Sequence, residues 1–182
     1  MTNLGDMMLA ALQPMGRNIE ALTPADLAPI DEFHIRGPES TQEFAAHAKV
    51  RPEWAVLGVG SGLGGSARYL AVEYGGRVTG LNLTHAFCDI AIMLLPRLGL
   101  SHRTVFQQGS AVAMPFADSS FDLVWTEHAQ MNIADKARFY GEIRGTSSED
   151  RSPKMALSFS LACPYIRVRC PVRDRAIGDV RL

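Results

Sequence analysis

The chain has 182 residues, of which 47% are hydrophobic and 20% charged, and its formal net charge is −1. This length and composition are typical of a globular protein with one substantial core. A net charge so close to zero creates no overall field that would attract nucleic acid or an anionic membrane. No apolar run is long enough to cross a bilayer.

Residues 1–50 are predicted to form a helical N-terminal cap. Thr23 followed by Pro24 is typical of an N-cap residue with proline at the first helical position. The small residues from Glu43 to Ala48 predict a second helix, which ends before the Arg51-Pro52 pair. The first residues, MTNLGDMMLAALQPMG, have neither a basic leader nor a continuous apolar segment, so no secretory signal is expected.

Strand and helix patterns alternate between residues 51 and 144. Strands are predicted at 54–59, 77–83, 104–107 and 121–126. Helices are predicted at 65–74, after a Thr84 cap, and from an Asp135 cap to Arg144. This alternation predicts an α/β fold with a parallel sheet built from right-handed crossovers.

The pattern changes from residue 145 to the last residue, 182. GTSSEDRSP is a loop by composition, and apolar residues then alternate with small or polar ones over 155–161 and 166–170. We therefore expect a divergent tail that supplies one or two strands and leaves the C-terminal side of the sheet incomplete. Cys163 and Cys170 of this tail, with Cys88, show neither CxxC nor metal-ligand spacing, so free thiols, a cytoplasmic location and no bound metal are expected.

The stretch WAVLGVGSGLGG, from Trp54 to Gly65, indicates a ligand-binding loop. An apolar run leads into closely spaced glycines and then into a predicted helix. Glycine permits positive φ and close approach of a ligand, and a helix start offers N–H groups to it. Gly60, Gly62 and Gly65 also match the dinucleotide fingerprint G-x-G-x-x-G, so the stretch alone leaves the ligand open.

In a parallel sheet the ligand lies outside the carboxyl ends of the strands, beside the point where the strand order reverses. Four segments are predicted to surround one crevice there: 60–64, Asn82, 110–111 and 127–128. Together with the glycine stretch, this placement predicts an α/β protein that binds a ligand in the crevice.

With these segments in place, the chain resembles the class I S-adenosylmethionine-dependent methyltransferases. The closest resemblance is to the small-molecule branch that includes ubiquinone/menaquinone and sarcosine/dimethylglycine methyltransferases. The matching stretches are LAPIDEFHIRGPEST, VLGVGSGLGGSARYLA, VTGLNLT, GSAVAMPFADSSFDLVWTEHAQMNI and DKARFYGEIR, between about Leu27 and Arg144. The resemblance implies a Rossmann-like three-layer sandwich, S-adenosylmethionine as cofactor, and a small amine or quinone-like phenol as methyl acceptor. It implies no nucleic-acid partner.

The resemblance also implies how the cofactor would be held. Gly60, Gly62 and Gly64 would let the first loop pass close to the methionine moiety. Asn82 stands where the family has an acid that binds both ribose hydroxyls, and Leu83 would lie against the adenine.

Four further positions follow from the resemblance. Ser110 and Ala111 would address the adenine edge, and His34 belongs to a cap that closes over the cofactor. Glu127 and His128 end the fourth strand, nearest the transferable methyl group. A general base is needed only when the nucleophile arrives protonated, and His128 is the candidate because histidine ordinarily titrates near neutral pH.

Three of the implied cofactor-binding positions depart from the family pattern by lacking an acid: Gly58, Asn82 and Ser110. A carboxylate accepts two charge-assisted hydrogen bonds from a diol, whereas an amide accepts with one oxygen. Each lost bond costs on the order of 1–3 kcal/mol in a desolvated site. We therefore expect weakened cofactor binding and impaired activity.

A larger departure follows Arg144, where the family's Pro- and Gly-rich turn and later strands have no counterpart. This predicts a gene truncated, or changed in reading frame, near Gly145. Methyl transfer to a small molecule is the leading functional hypothesis. A non-catalytic remnant or binding module is one alternative; an NAD(P)-dependent oxidoreductase is another, disfavoured because AMPF…FDLVW has no place in it.

Overall fold

The computed structural model describes residues 4–32, 36–147, 154–158 and 166–169. The helices in this part of the chain are α1 Leu4–Leu12, α2 Pro24–Asp31, α3 Gly37–Ala48, α4 Gly65–Glu73, α5 His85–Leu94 and α6 Lys136–Thr146. The strands are β1 Ala55–Val59, β2 Arg77–Asn82, β3 Thr104–Gln108, β4 Leu123–Glu127, β5 Lys154–Ser158 and β6 Ile166–Arg169. Helices and strands alternate from β1 to β3, as the sequence predicts, whereas residues 109–122 join β3 to β4 without a helix and α6 follows β4.

The six described strands form one sheet in the order β3-β2-β1-β4-β5-β6. Neighbouring strands from β3 to β5 pair in parallel, and β6 pairs antiparallel with β5. The chain order therefore reverses between β1 and β4, which is where an open α/β sheet leaves a crevice. The predicted α/β fold with a mostly parallel sheet is confirmed, and the tail contributes two strands.

Helices cover both faces of this sheet. On one face, side chains of α3, α4 and α5 pack around buried β1 residues such as Val56. On the other face, Leu57 and Val59 pack with Phe139 and Ile143 of α6 and with the segment that precedes β4. The alternation along β1 thus sends successive side chains into two cores, as a strand buried on both faces requires.

The N-terminal helices add a third apolar cluster. Leu12 of α1 and Leu27 of α2 are fully buried with Leu63 and with Leu94 of α5. This cluster places α1 and α2 beside the loop that leads into α4. Thr23 caps α2 with a complete capping box, in which its hydroxyl accepts from the Asp26 backbone N–H and the Asp26 carboxylate accepts in return.

Three local expectations are corrected. Helix α3 begins at Gly37, earlier than the predicted Glu43. The Thr84 side chain makes no capping bond to α5, whereas Asp135 does cap α6 by accepting from Arg138 N at 2.9 Å. β4 begins after the predicted residue 121, because Phe121 N donates to Thr146 O at 3.1 Å.

No helix within the described residues is long and apolar enough to cross a membrane.

Candidate functional site

The loops after β1, β2 and β3 are joined by hydrogen bonds at the carboxyl edge of the sheet. Gly60 N and Ser61 N both donate to Leu81 O, at 2.8 and 3.1 Å. Asn82 Nδ2 donates to Gly62 O at 3.2 Å, and Gly109 N donates to Asn82 O at 2.9 Å. The end of β2 therefore lies between the glycine loop and the loop that carries Ser110.

The segment after β4 reaches the same place by direct packing. A Cβ built on Gly60 would lie 2.2 Å from Ala129 Cβ. Since real Cβ atoms do not come that close, only glycine at position 60 allows this contact. The structure thus brings together all four segments that the sequence predicts around one crevice.

The three glycines of the first loop have different surroundings although all have positive φ: Gly60 at 72°, Gly62 at 55° and Gly64 at 93°. A Cβ on Gly64 would lie 2.4 Å from Phe106 Cζ, whereas one on Gly62 would meet no atom of the described residues within 4 Å. At Gly60 and Gly64 the close approach is therefore made to the protein itself. Gly62 is the glycine that faces open space.

Gly58 is the first of the three positions at which this chain lacks the family's acid. It lies inside β1 and pairs with Gly80 of β2 and Trp125 of β4. Among the described residues, a Cβ at this position would have one neighbour within 4 Å, Thr79 O at 3.8 Å, which is an ordinary contact distance. The strand therefore has room for a Cβ here, and glycine is not required by the backbone.

Asn82 uses both halves of its amide within the protein. Beside the Nδ2 bond to Gly62, its Oδ1 accepts from Thr84 N at 3.2 Å. The next residue, Leu83, is 70% exposed, and Phe87 in the first turn of α5 is also exposed. An apolar side chain so accessible beside the crevice is suited to cover a flat ring.

The loop with Ser110 and Ala111 is a compact turn held by the protein. Ser110 Oγ accepts from Val112 N at 3.3 Å, and Ser110 O accepts from Ala113 N at 3.2 Å. Glu142 of α6 braces the end of this turn by accepting from Met114 N at 2.7 Å. The Ser110 hydroxyl thus accepts a hydrogen bond from a backbone N–H of its own loop.

Glu127 is fixed by donors from three elements. Its carboxylate accepts from Ser66 Oγ of α4 and from Trp125 Nε1 at 3.0 Å. The buried Thr41 hydroxyl of α3 lies 3.3 Å from Glu127 Oε2 and 3.2 Å from Glu32 Oε2. Because one hydroxyl donates one proton, Thr41 serves one carboxylate at a time. Glu127 therefore links the end of β4 to α4, and to α3 when Thr41 donates to it rather than to Glu32.

A second polar link lies close to this one. Arg68 of α4 is fully buried and pairs with Asp31, which ends α2, and it also donates to Leu63 O at 2.6 Å. Burial lowers the pKa of Arg68 to about 9, so its guanidinium remains charged at neutral pH. Gly65 lies directly against both acids that end the α2 segment, since a Cβ there would lie 3.1 Å from Asp31 Oδ1 and 2.9 Å from Glu32 Oε1. Carboxylates are favoured at this position because α4 begins at Gly65.

His128 follows β4 with a left-handed backbone, φ 54°. Such a conformation is uncommon for a residue other than glycine, and it is often found at functional sites. The residue as a whole is partly exposed, whereas both ring nitrogens, Nδ1 and Nε2, are buried. The role of His128 as a base stays a prediction, and His34, the other histidine of interest, lies outside the described residues.

Sequence reasoning missed the residues that hold the predicted ones: Thr41, Ser66, Arg68 and Glu142. Ser66 had a usable signal, because a hydroxyl in the first turn of the helix after a glycine loop faces the same crevice. Arg68, in a helix otherwise rich in small and apolar residues, also marked a buried charge that needs a partner. Within the described part of the chain, no three acidic, histidine or cysteine side chains are grouped to hold a metal ion.

An open parallel sheet with a glycine loop where its strand order reverses defines a cofactor-binding α/β protein of the Rossmann-like class. A family model described as "Methyltransferase domain" matches residues 57–147, half of the chain. The chain belongs to this methyltransferase family, and the predicted membership of the class I S-adenosylmethionine-dependent methyltransferases is confirmed.

Two curated relatives illustrate the range of this family. The chain is 38% identical to a probable chloroplastic tocopherol O-methyltransferase of Oryza sativa subsp. japonica, over 60% of this chain and 31% of the relative. It is 31% identical to the glycine/sarcosine/dimethylglycine N-methyltransferase of Actinopolyspora halophila, over 63% of this chain and 20% of the relative. The chain therefore spans no more than about a third of the length of either relative.

Solved structures support the fold. Phosphoethanolamine N-methyltransferase 2 of Haemonchus contortus, in complex with S-adenosyl-L-methionine, superposes with a TM-score of 0.65 at 20% identity. The superposition covers 70% of this chain and 29% of that one. At this identity the likeness establishes the shared architecture alone.

Proposed function

We propose that the chain binds S-adenosylmethionine in the crevice at the carboxyl edge of the sheet and transfers its methyl group to a small-molecule acceptor. The observation that carries this proposal is that the loops after β1, β2 and β3 are hydrogen-bonded to one another and Ala129 after β4 packs on Gly60, while a Cβ on Gly62 would meet no described atom within 4 Å. A ligand can approach the backbone there without meeting a Cβ. The relatives named above act on small molecules by their names, which supports an acceptor of that size.

The residues present fit the cofactor. Gly62 would lie against its methionine part, Leu83 against its adenine, and the turn at Ser110 and Ala111 along the adenine edge. S-adenosylmethionine supplies an already activated methyl group, so the protein's task is alignment and exclusion of water. The links from Glu127 and Arg68 to the N-terminal helices suit this task, because they fix those helices against the crevice.

His128 is the proposed base for an acceptor that arrives protonated. It stands at the end of β4, next to Ala129, whose side chain touches the glycine loop. We propose Glu127 as a positioning group, since its carboxylate already accepts hydrogen bonds from Ser66 and Trp125. A cytoplasmic location remains an expectation from the sequence.

A non-catalytic binding module is the second candidate. The observation that favours it is that Asn82, Ser110 and Glu127 all engage groups of the protein itself. Under this reading the crevice would keep its shape and lack turnover.

The test combines binding with turnover. A ligand that binds only the native state at about 100 times its Kd stabilises it by about 2.7 kcal/mol. For a chain of this length, that is a Tm rise on the order of 5–10 °C. We expect this rise with S-adenosylhomocysteine and not with NADH, and transfer of labelled methyl from S-adenosylmethionine to a tocopherol-type phenol or a sarcosine-type amine.

Each outcome decides between the readings. Cofactor binding with no transfer to either acceptor class would favour the binding module. Stabilisation by NADH alone would overturn the proposal in favour of the oxidoreductase. The absence of any heat in a calorimetric titration with S-adenosylhomocysteine would overturn both binding hypotheses.

A further inference from the structure

The Asn82 side chain joins two cofactor-facing segments to each other. Its Nδ2 donates to Gly62 O in the glycine loop, and its Oδ1 accepts from Thr84 N before α5, both at 3.2 Å. An amide offers a donor and an acceptor from one planar group, so it can satisfy a carbonyl and an N–H at once. A carboxylate of the same size offers acceptors alone and would face the Gly62 carbonyl with an unfavourable oxygen.

The bond from Asn82 Nδ2 to Gly62 O lies in the part of the glycine loop that borders the proposed cofactor site. Gly60 N and Ser61 N donate hydrogen bonds to Leu81 O, and Gly64 N donates to Ser61 O at 2.8 Å. Gly62 lies between these hydrogen-bonded residues. Its φ is 55°, and a Cβ on it would meet no described atom within 4 Å. The Asn82 amide therefore secures the segment that borders the open part of the crevice.

We propose that Asn82 is a positioning residue that holds the glycine loop in its binding geometry before any ligand arrives, and that the ribose hydroxyls are not its ligands. Its role rests on the proposed function, because the crevice that it shapes is the proposed cofactor site. The exchange of an acid for an amide at this position then gives the loop a fixed shape and gives up a charged contact to the ribose. This replaces the expectation that Asn82 is a weakened ribose-binding group.

The first test is the change that would restore an acid, Asn82→Asp. Under the proposal, Asn82→Asp weakens S-adenosylhomocysteine binding by about tenfold, as expected from one lost hydrogen bond. It also speeds backbone amide exchange at residues 62–63 in the ligand-free protein. Asn18→Asp is the matched control, because it makes the same amide-to-acid change in an exposed turn of the N-terminal segment, where Asn18 Oδ1 accepts from Glu20 N at 3.1 Å. Asn18→Asp should leave the Kd and the exchange at residues 62–63 unchanged.

The second test separates positioning from ribose binding. S-adenosylhomocysteine and its 2′-deoxy analogue are titrated against wild type and Asn82→Ala. If Asn82 does not contact the ribose, Asn82→Ala weakens both ligands by the same factor, because independent effects add. A loss confined to the ligand that carries the 2′-hydroxyl would overturn the proposal.

The remaining outcomes also distinguish a positioning role of Asn82 from a ribose-binding role. Tighter binding by Asn82→Asp with unchanged amide exchange would show that Asn82 is a ribose ligand short of an acid, and would overturn the proposal. If Asn82→Asp does not fold, Asn82→Ala replaces it, and unchanged exchange at residues 62–63 in that variant overturns the proposal. A wild-type protein that binds no S-adenosylhomocysteine would contradict the proposed function, while the exchange experiment on the ligand-free protein would still test the role of Asn82.

Discussion

Gly60 and Gly62 show how two residues of one type, with similar backbone angles, serve different ends. Both have positive φ, at 72° and 55°. The missing side chain of Gly60 makes room for Ala129, whereas that of Gly62 leaves open space. The first glycine therefore joins two parts of the protein, and the second leaves a surface for a ligand.

We predict that alanine at these two positions separates stability from binding. Gly60→Ala adds left-handed strain and a clash with Ala129, together on the order of 2–5 kcal/mol. Gly62→Ala adds the strain alone, about 1–2 kcal/mol, and fills the space proposed for the cofactor. Thermal melts should therefore show the larger loss for Gly60→Ala, while titration with S-adenosylhomocysteine should show the larger loss of affinity in Gly62→Ala when measured well below both Tm values.

A reversed order in the melts would contradict the assigned contact with Ala129. Unchanged affinity in Gly62→Ala would contradict the placement of the cofactor beside Gly62.

The two glycines also show which features of single residues could be predicted from the sequence. Positive φ at Gly60, Gly62 and Gly64 was predictable, because a strand that turns sharply into a helix needs it. The partners of these residues were not predictable, because Ala129 and Phe106 reach the loop only after the sheet has formed. The left-handed backbone of His128 has only a weak local signal, because histidine is enriched in that region among non-glycine residues but still adopts it uncommonly.

At the level of elements, α2 is attached to α4 through the buried pair of Asp31 and Arg68. Removing one member of a buried ion pair leaves the other charge desolvated and unpaired, which costs about 3–5 kcal/mol. Replacing both members by apolar side chains of similar size removes that penalty. The pair therefore matters more for where α2 docks than for net stability.

We predict that Arg68→Met lowers the free energy of unfolding by about 3–5 kcal/mol and that the double variant Arg68→Met/Asp31→Leu recovers most of the loss. Arg36→Met is the control, since Arg36 pairs with Glu43 at 2.6 Å with both side chains nearly half exposed. This control should cost no more than about 1 kcal/mol. Denaturant unfolding measures all three, and a double variant as unstable as Arg68→Met would contradict the role given to the pair.

These elements were largely predictable, and their attachments were not. Hydrophobic periodicity located β1, α4, β2 and the Asp135 cap of α6 because those signals are local. The Glu142 bond to Met114 N and the Thr41 contact with Glu127 join residues far apart in the chain. Such contacts depend on how the helices are placed against the sheet, which periodicity does not encode.

On the scale of the whole molecule, β5 and β6 carry the sheet beyond β4. Lys154–Ser158 pairs in parallel with β4 along five positions and antiparallel with β6 along four. β5 thus has a paired strand on each side over residues 154–157, where its backbone N–H groups face another strand. The sequence predicted strands in this tail, and their place in the sheet order is a finding of the structure.

We predict that Ala156→Pro, in the middle of β5, destabilises the protein by on the order of 1–3 kcal/mol because a ladder N–H is lost and its acceptor is left unsatisfied. The matched control is Ala134→Pro. Ala134 is exposed, and Ile133 before it is already extended at φ −95° and ψ 112°, as proline requires of its predecessor. Calorimetric melts should show a Tm loss for Ala156→Pro and little change for the control; equal melts would mean that β5 adds nothing to the cooperative unit.

The contact between Gly60 and Ala129 also limits how this protein could be re-engineered. Residue 129 lies next to His128, the proposed base, so it is an obvious position for a library that seeks new substrates. Its side chain already fills the volume that a Cβ of residue 60 would need, and any larger side chain would push the glycine loop out of place. Variation is better begun at Met131, whose side chain is 52% exposed, so that a change in its size disturbs less packing.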